Sequence, residues 1–133
     1  MLTFGFDGDE ANPHFPENYK ENFVAYTGTH DNDTVLGWWE NASEHAKEFA
    51  METLDFDEDD DISLCFIKAV LASPAARAII PMQDFLRLGS EGRMNTPGTV
   101  GGNWGWRMTE KPADALMKEI KKLNKKAKRG VKN

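Results

Sequence analysis

Residues 23–39 read FVAYTGTHDNDTVLGWW, and the order of their characters decides the fold. Phe23 to Tyr26 form a short apolar run bounded by Gly28, the mark of a buried strand. Thr29-His30-Asp31-Asn32-Asp33-Thr34 then follow as an unbroken polar segment. Asp33 or Thr34 can cap a short helix carrying Leu36, Trp38 and Trp39. A strand that passes through a polar segment into a helix is half of a parallel α/β unit, so the rest of the chain should repeat that alternation.

Working outward, it does. A helical stretch runs from about Ser43 to Leu54, and the acidic run Asp55–Asp61 suits the N-terminus of the next helix. In that helix Ile62, Cys65, Phe66, Ala69 and Val70 recur on one face until Ser73-Pro74 ends it. Ala78–Met82 reads as another strand, followed by Gln83-Asp84 and a short helical piece that Gly89 stops. Upstream, Leu2, Phe4 and Phe6 alternate with Thr3 and Gly5, which predicts a first strand over Leu2–Phe6, and residues 7–22 form a loop. Residues 89–107 make a long glycine-rich loop, and loops of that length in a compact domain carry function. Pro112 opens a terminal helix with Leu116, Ile120, Leu123 and Ala127 in one stripe. Three polar segments thus sit at carboxyl ends of expected strands, where α/β proteins collect their chemistry: Asp7-Gly8, His30–Asp33 and Gln83-Asp84.

A chain of 133 residues is one domain, well short of the ~250 residues of a complete eight-stranded α/β barrel. No apolar run is long enough for a membrane span, and Met1–Phe6 lacks the features of a secretory signal. The single Cys65 allows neither an internal disulfide nor a cysteine-based zinc site and reads as a buried thiol in a reducing cytoplasm. Of the net charge of −6, residues 118–133 hold +7, eight Lys or Arg against Glu119 alone, and residues 1–117 hold −13. No aromatic residues interleave with those lysines, so the tail reads as a solvated helix face and not as a nucleic-acid site.

Most short motifs fail on their own terms. Asp55, Asp57 and Asp59 imitate a calcium loop, yet Asp60 stands where glycine is needed and Phe66 where glutamate is needed. Gly98–Gly105 has no Gly-Lys-Ser/Thr ending, and His14, His30 and His45 lack metal-ligand spacing. Asp31 and Asp33 could form an Asp-x-Asp metal site, a pattern common by chance. For residues 29–34 an Asx turn and helix cap account for Asn32, Asp33 and Thr34, leaving His30 and Asp31 without a structural role.

Four blocks together carry a family resemblance: FGFDG (Phe4–Gly8), NPHFPENY (Asn12–Tyr19), YTGTHDNDTVLGWW (Tyr26–Trp39) and PMQDFLRLGSEGRMNTPGTVGGNWGWR (Pro81–Arg107). In this order they closely resemble the amylomaltases or disproportionating enzymes, the 4-alpha-glucanotransferases of glycoside hydrolase family 77. The resemblance implies that residues 1–133 are the C-terminal portion of a (β/α)8 TIM barrel, about three βα units with strands six to eight, with 118–133 as the basic end of its terminal helix and tail. The nucleophilic Asp and acid/base Glu of that family would then precede Met1. Its third, transition-state-stabilising carboxylate maps to Asp31. On the same mapping His30 donates to a hydroxyl of the sugar at the cleavage point, Asn95 contacts the glucan, and Phe4 offers an apolar face to an acceptor sugar. Core packing is the competing role for Phe4 and, more strongly, for Trp38, Trp39, Trp104 and Trp106. Asp7, Asp84 and Glu91 take neither missing role, and Asp84 is expected to orient neighbouring loops. The resemblance implies a maltodextrin or starch-derived glucan substrate, with no cofactor and no metal. The alternative is a non-catalytic glucan-binding or structural module. A barrel piece with open strand edges is further expected to self-associate.

Overall fold

A computed structural model describes residues 1–109 and 111–129. Strands β1 (Val24–Tyr26) and β2 (Arg77–Ile79) pair in parallel, with Ala25 opposite Ala78. Three helices cross between them: α1 (Val35–Asn41), α2 (Glu44–Leu54) and α3 (Ile62–Ala72). Each starts on a side-chain cap: Thr34 accepts from the Gly37 N–H, Ser43 from Ala46 and Asp61 from Leu64. The acidic run is therefore a helix start, as expected, with the Asp57 N–H closed onto Asp60. After β2 come α4 (Met82–Phe85) and α5 (Asp114–Lys126).

Helix α3 organises the packing because it is apolar on two faces. Phe66 and Val70 enter a cluster with Leu2, Phe6, Ala25, Val35 and Phe56, while Ile67 and Leu71 join Phe85 under the Leu116, Ile120, Leu123 stripe of α5. A helix buried on both sides between layers needs this composition. Arg87 fixes α5 in place, reaching Asp61 at 2.8 Å, Glu119 at 2.9 Å and the Phe85 carbonyl at 2.6 Å. These bonds to two carboxylates hold its guanidinium above the usual range against the opposing effect of burial. Lys118, Lys121, Lys122, Lys125, Lys126 and Lys128 all face solvent, the solvated face the sequence suggests. Gly130–Asn133 lie outside the described residues.

The first expected strand is not formed. Leu2–Phe4 is a 3-10 turn, its Phe4 and Gly5 amides turning back to Met1 and Leu2, with one backbone bond (Thr3 N–H to the Thr27 carbonyl) leading towards β1. Strand alternation would have put Leu2, Phe4 and Phe6 on one face; instead Leu2 and Phe6 are buried and Phe4 is half exposed. One ladder bond does not offset the pull of a local turn whose Gly5 packs against the His14 carbonyl. The last strand is shorter than expected as well, ending at Ile79 ahead of Pro81, which has no amide to donate to a ladder and stands at the N-cap of α4.

Candidate active site

Parallel pairing puts the ends of β1 and β2 on one side of the sheet, and a buried carboxylate ties them together. Asp84, in α4, accepts a 2.5 Å hydrogen bond from the Thr27 hydroxyl just past β1 and a 2.9 Å bond from the Val35 N–H at the start of α1. Both ends of the polar segment are thereby fixed, the orienting role expected of Asp84. Burial pushes the Asp84 carboxyl above its ordinary range and nearby Asp33 adds to that, while the two hydrogen bonds oppose it.

Within the segment, the Asn32 Oδ1 accepts from the Thr29 amide at 2.8 Å and its hydroxyl at 2.9 Å, closing a tight turn. Asp33 accepts from the Thr34 amide at 2.8 Å and the Ser90 hydroxyl at 2.6 Å. That second bond needs Gly37 in α1, since a Cβ there would collide with the Asp33 carboxylate and the Ser90 hydroxyl. The turn-and-cap reading is thus right for Asn32, Asp33 and Thr34. It leaves His30 and Asp31 at the crest of the turn, their side chains 55% and 49% exposed.

Their partners come from the glycine-rich loop. The Asn95 Nδ2 donates to the Asp31 Oδ1 at 2.7 Å, and the His30 Nε2 lies 3.2 Å from the same oxygen. The Asn95 N–H donates to the His30 carbonyl at 3.0 Å. Among the described residues, the Asp31 Oδ2 has no hydrogen-bond partner. The carboxylates of Asp31 and Asp33 are thus engaged by different groups.

Gly98, Gly101 and Gly102, all at positive φ, let the loop turn back so that the Trp104 N–H reaches the Met94 carbonyl at 2.7 Å. Trp104 itself sits at φ 62, a left-handed conformation that costs a bulky residue about 1–3 kcal/mol and is characteristic of functional sites. Its ring lies 5.0 Å from that of His30 and it is half exposed, so the core role expected for Trp104 is wrong. The signal was available: Trp104 stands in a glycine-rich stretch with no periodic apolar neighbours to bury it. Trp38 and Trp39, by contrast, pack against the core as expected.

Phe4 also escapes the core. It is half exposed and, with Asp31, Trp38, Arg93 and Pro97, lines an open cavity of about 540 Å³. Asp7 is occupied by Asn12 and the Asp9 amide, and Glu91 by the Gly89 amide, so both serve local turns. What converges is one carboxylate with a held oxygen and a free one, an imidazole, an amide and exposed aromatic faces. Such a set binds neutral polyols by hydrogen bonding and ring stacking.

A family model described as 4-alpha-glucanotransferase matches residues 1–113. The chain is 53% identical over 108 residues to the chloroplastic/amyloplastic 4-alpha-glucanotransferase of Arabidopsis thaliana, covering 81% of this chain and 19% of that one. Against the 4-alpha-glucanotransferase of Clostridium butyricum it is 48% identical over 108 residues, covering 80% and 22%. Among solved structures, an amylomaltase from Streptococcus agalactiae in complex with acarbose superposes with a TM-score of 0.93 at 34% identity, covering 98% of this chain and 27% of that one. The chain therefore spans 19% to 27% of the length of these relatives.

Proposed function

Since the chain belongs to the 4-alpha-glucanotransferase family, we propose that it is the C-terminal part of a (β/α)8 catalytic barrel that transfers α-1,4-glucan segments between maltodextrins with retention. In this reading the chain is a C-terminal fragment of the barrel, β1 and β2 are its strands seven and eight, and the basic end of its last helix, α5, begins at Lys118. The observation that carries the reading is the Asp31 carboxylate, Oδ1 held by Asn95 and His30 while Oδ2 stays open.

In retaining glycosyl transfer a nucleophile and an acid/base ~5 Å apart form and resolve a covalent glycosyl-enzyme. Asp31 serves neither role. It accepts hydrogen bonds from hydroxyls of the sugar at the cleavage point, and these strengthen as positive charge grows at the anomeric carbon. His30 donates from its ring to a hydroxyl of the same sugar, Asn95 contacts the glucan from the loop while holding the Asp31 carboxylate, and Phe4 gives an acceptor sugar an apolar face across the cavity. The nucleophile and acid/base come from residues outside this sequence.

The glucan substrate is proposed on the same grounds, supported by the acarbose complex of the amylomaltase neighbour. Self-association of the isolated chain is proposed from the exposed Val24 and Ile79 on a two-stranded sheet. A cytoplasmic location is proposed from the lone Cys65; the plant relatives are named as chloroplastic or amyloplastic proteins.

To test the function, residues 1–113 replace the matching segment of the Clostridium butyricum relative. The exchanged protein should disproportionate maltotriose within about tenfold of its parent, whereas the isolated chain should release no more glucose than a heat-killed control. A folded exchange protein without transfer, or an active isolated chain, contradicts the proposal. The second outcome would also require a complete catalytic set within these residues.

A further inference from the structure

Asp31 is useful to a sugar only if its open oxygen points the right way, and two exposed segments 64 residues apart in sequence must agree on that direction. One side chain bridges them. The Arg93 Nη2 donates to the Asp31 carbonyl at 2.9 Å, its Nε donates to the Asn95 carbonyl at 2.9 Å, and its Nη1 lies 3.9 Å from the Asp33 Oδ2. The Arg93 amide is itself pinned to the Ser90 carbonyl at 3.0 Å, in the 3-10 turn whose Ser90 hydroxyl bonds Asp33. A rigid base therefore presents the guanidinium.

The geometry points to Arg93 as the positioning residue of the Asp31–Asn95 pair. The inference rests on the glucanotransferase reading of Asp31. A planar fork addresses two backbone carbonyls in fixed directions, and from those two backbones hang the carboxylate and the amide that meet at 2.7 Å. Arg93 closes that ring without reaching the Asp31 carboxylate, to which it makes no bond, so it sets direction and leaves the free oxygen for substrate. Lysine could keep the charge near Asp33 but could not hold both carbonyls in the plane of one group. A misplacement of about 1 Å at a reacting group costs up to ~100-fold in rate.

The test compares Arg93→Lys, Asn95→Ala, their combination and Asp31→Asn in the complete transferase carrying this segment, with maltotriose as substrate. Arg93→Lys should lower kcat by about 30-fold, with KM within about threefold of the parent and an unchanged unfolding temperature. In the Asn95→Ala background the same replacement should cost less than about threefold, because the group it orients is gone. Arg93→Gln, which also breaks the fork, should behave like Arg93→Lys. Unchanged kcat in Arg93→Lys, full additivity with Asn95→Ala, or loss of the folded state in both Arg93 variants overturns the inference. Asp31→Asn separates the two levels: if it abolishes turnover while Arg93→Lys is neutral, only the positioning role falls, and if it is neutral the reading of the site falls too.

Discussion

Asp31→Asn in the complete transferase should cut kcat for maltotriose disproportionation by about three orders of magnitude while leaving the unfolding temperature nearly unchanged. Asparagine is close to isosteric, and its Oδ1 can still accept from the Asn95 amide, so the 2.7 Å contact to the glycine-rich loop survives. On the role proposed for Asp31, the loss is that of a charge facing a developing oxocarbenium ion, an interaction that counts for more in the transition state than in the ground state. The loss should therefore appear in kcat more than in KM. Exposure of the side chain argues against a large stability effect, since nothing is left buried and unpaired. Turnover within a few-fold of the parent in a folded variant would remove Asp31 from the chemistry.

The second large effect belongs to Asp84, where the expected loss is in stability. Asp84→Ala leaves the buried Thr27 hydroxyl and the Val35 amide without their acceptor. At about 1–3 kcal/mol for each unsatisfied buried group, urea unfolding should show a loss of about 3 kcal/mol. Asp84→Asn keeps a carbonyl acceptor and should cost less. The pH dependence gives a separate check. Burial raises the carboxyl's pKa in the folded state above its unfolded value, so the folded state binds the proton more readily. This group's contribution to stability is fully present below the unfolded pKa and is lost as pH rises through the folded pKa. Asp84→Asn should flatten that part of the profile. An Asp84→Ala protein as stable as the parent would mean that the polar segment is held by other contacts.

Most of the helices were legible in the sequence because each has a local cause. Thr34, Ser43 and the acidic run ending at Asp61 cap their helices with their own side chains, and the spacing of Phe66 and Val70 or of Leu116 and Ile120 marks the buried face. Strands were less legible because their existence depends on a neighbour. Phe23–Tyr26 and Ala78–Met82 have each other and form, a residue or more shorter than expected, whereas Leu2–Phe6 has the same alternation, one ladder bond and no strand. For the site, turn chemistry accounted for Asn32, Asp33 and Thr34 and left His30 and Asp31 over, which was a genuine local signal. Asn95 came from the family resemblance alone: nothing in its own neighbourhood reveals a hydrogen bond to a residue 64 positions away. Arg93 was missed for the same reason, its role arising only when the glycine-rich loop folds back against the polar segment, whereas the exposure of Trp104 was legible in its glycine-rich surroundings and only its approach to His30 was not.

The most direct measurement is a crystal structure of the complete transferase with acarbose bound at the cleavage point. Hydroxyls of the sugar at that point are expected within hydrogen-bond distance, about 2.7 Å, of the Asp31 Oδ2, with the Oδ1 still held by Asn95. Acarbose seated with no hydroxyl in hydrogen-bond reach of Asp31, or with Asp31 turned away and its place taken by another carboxylate, would contradict this expectation.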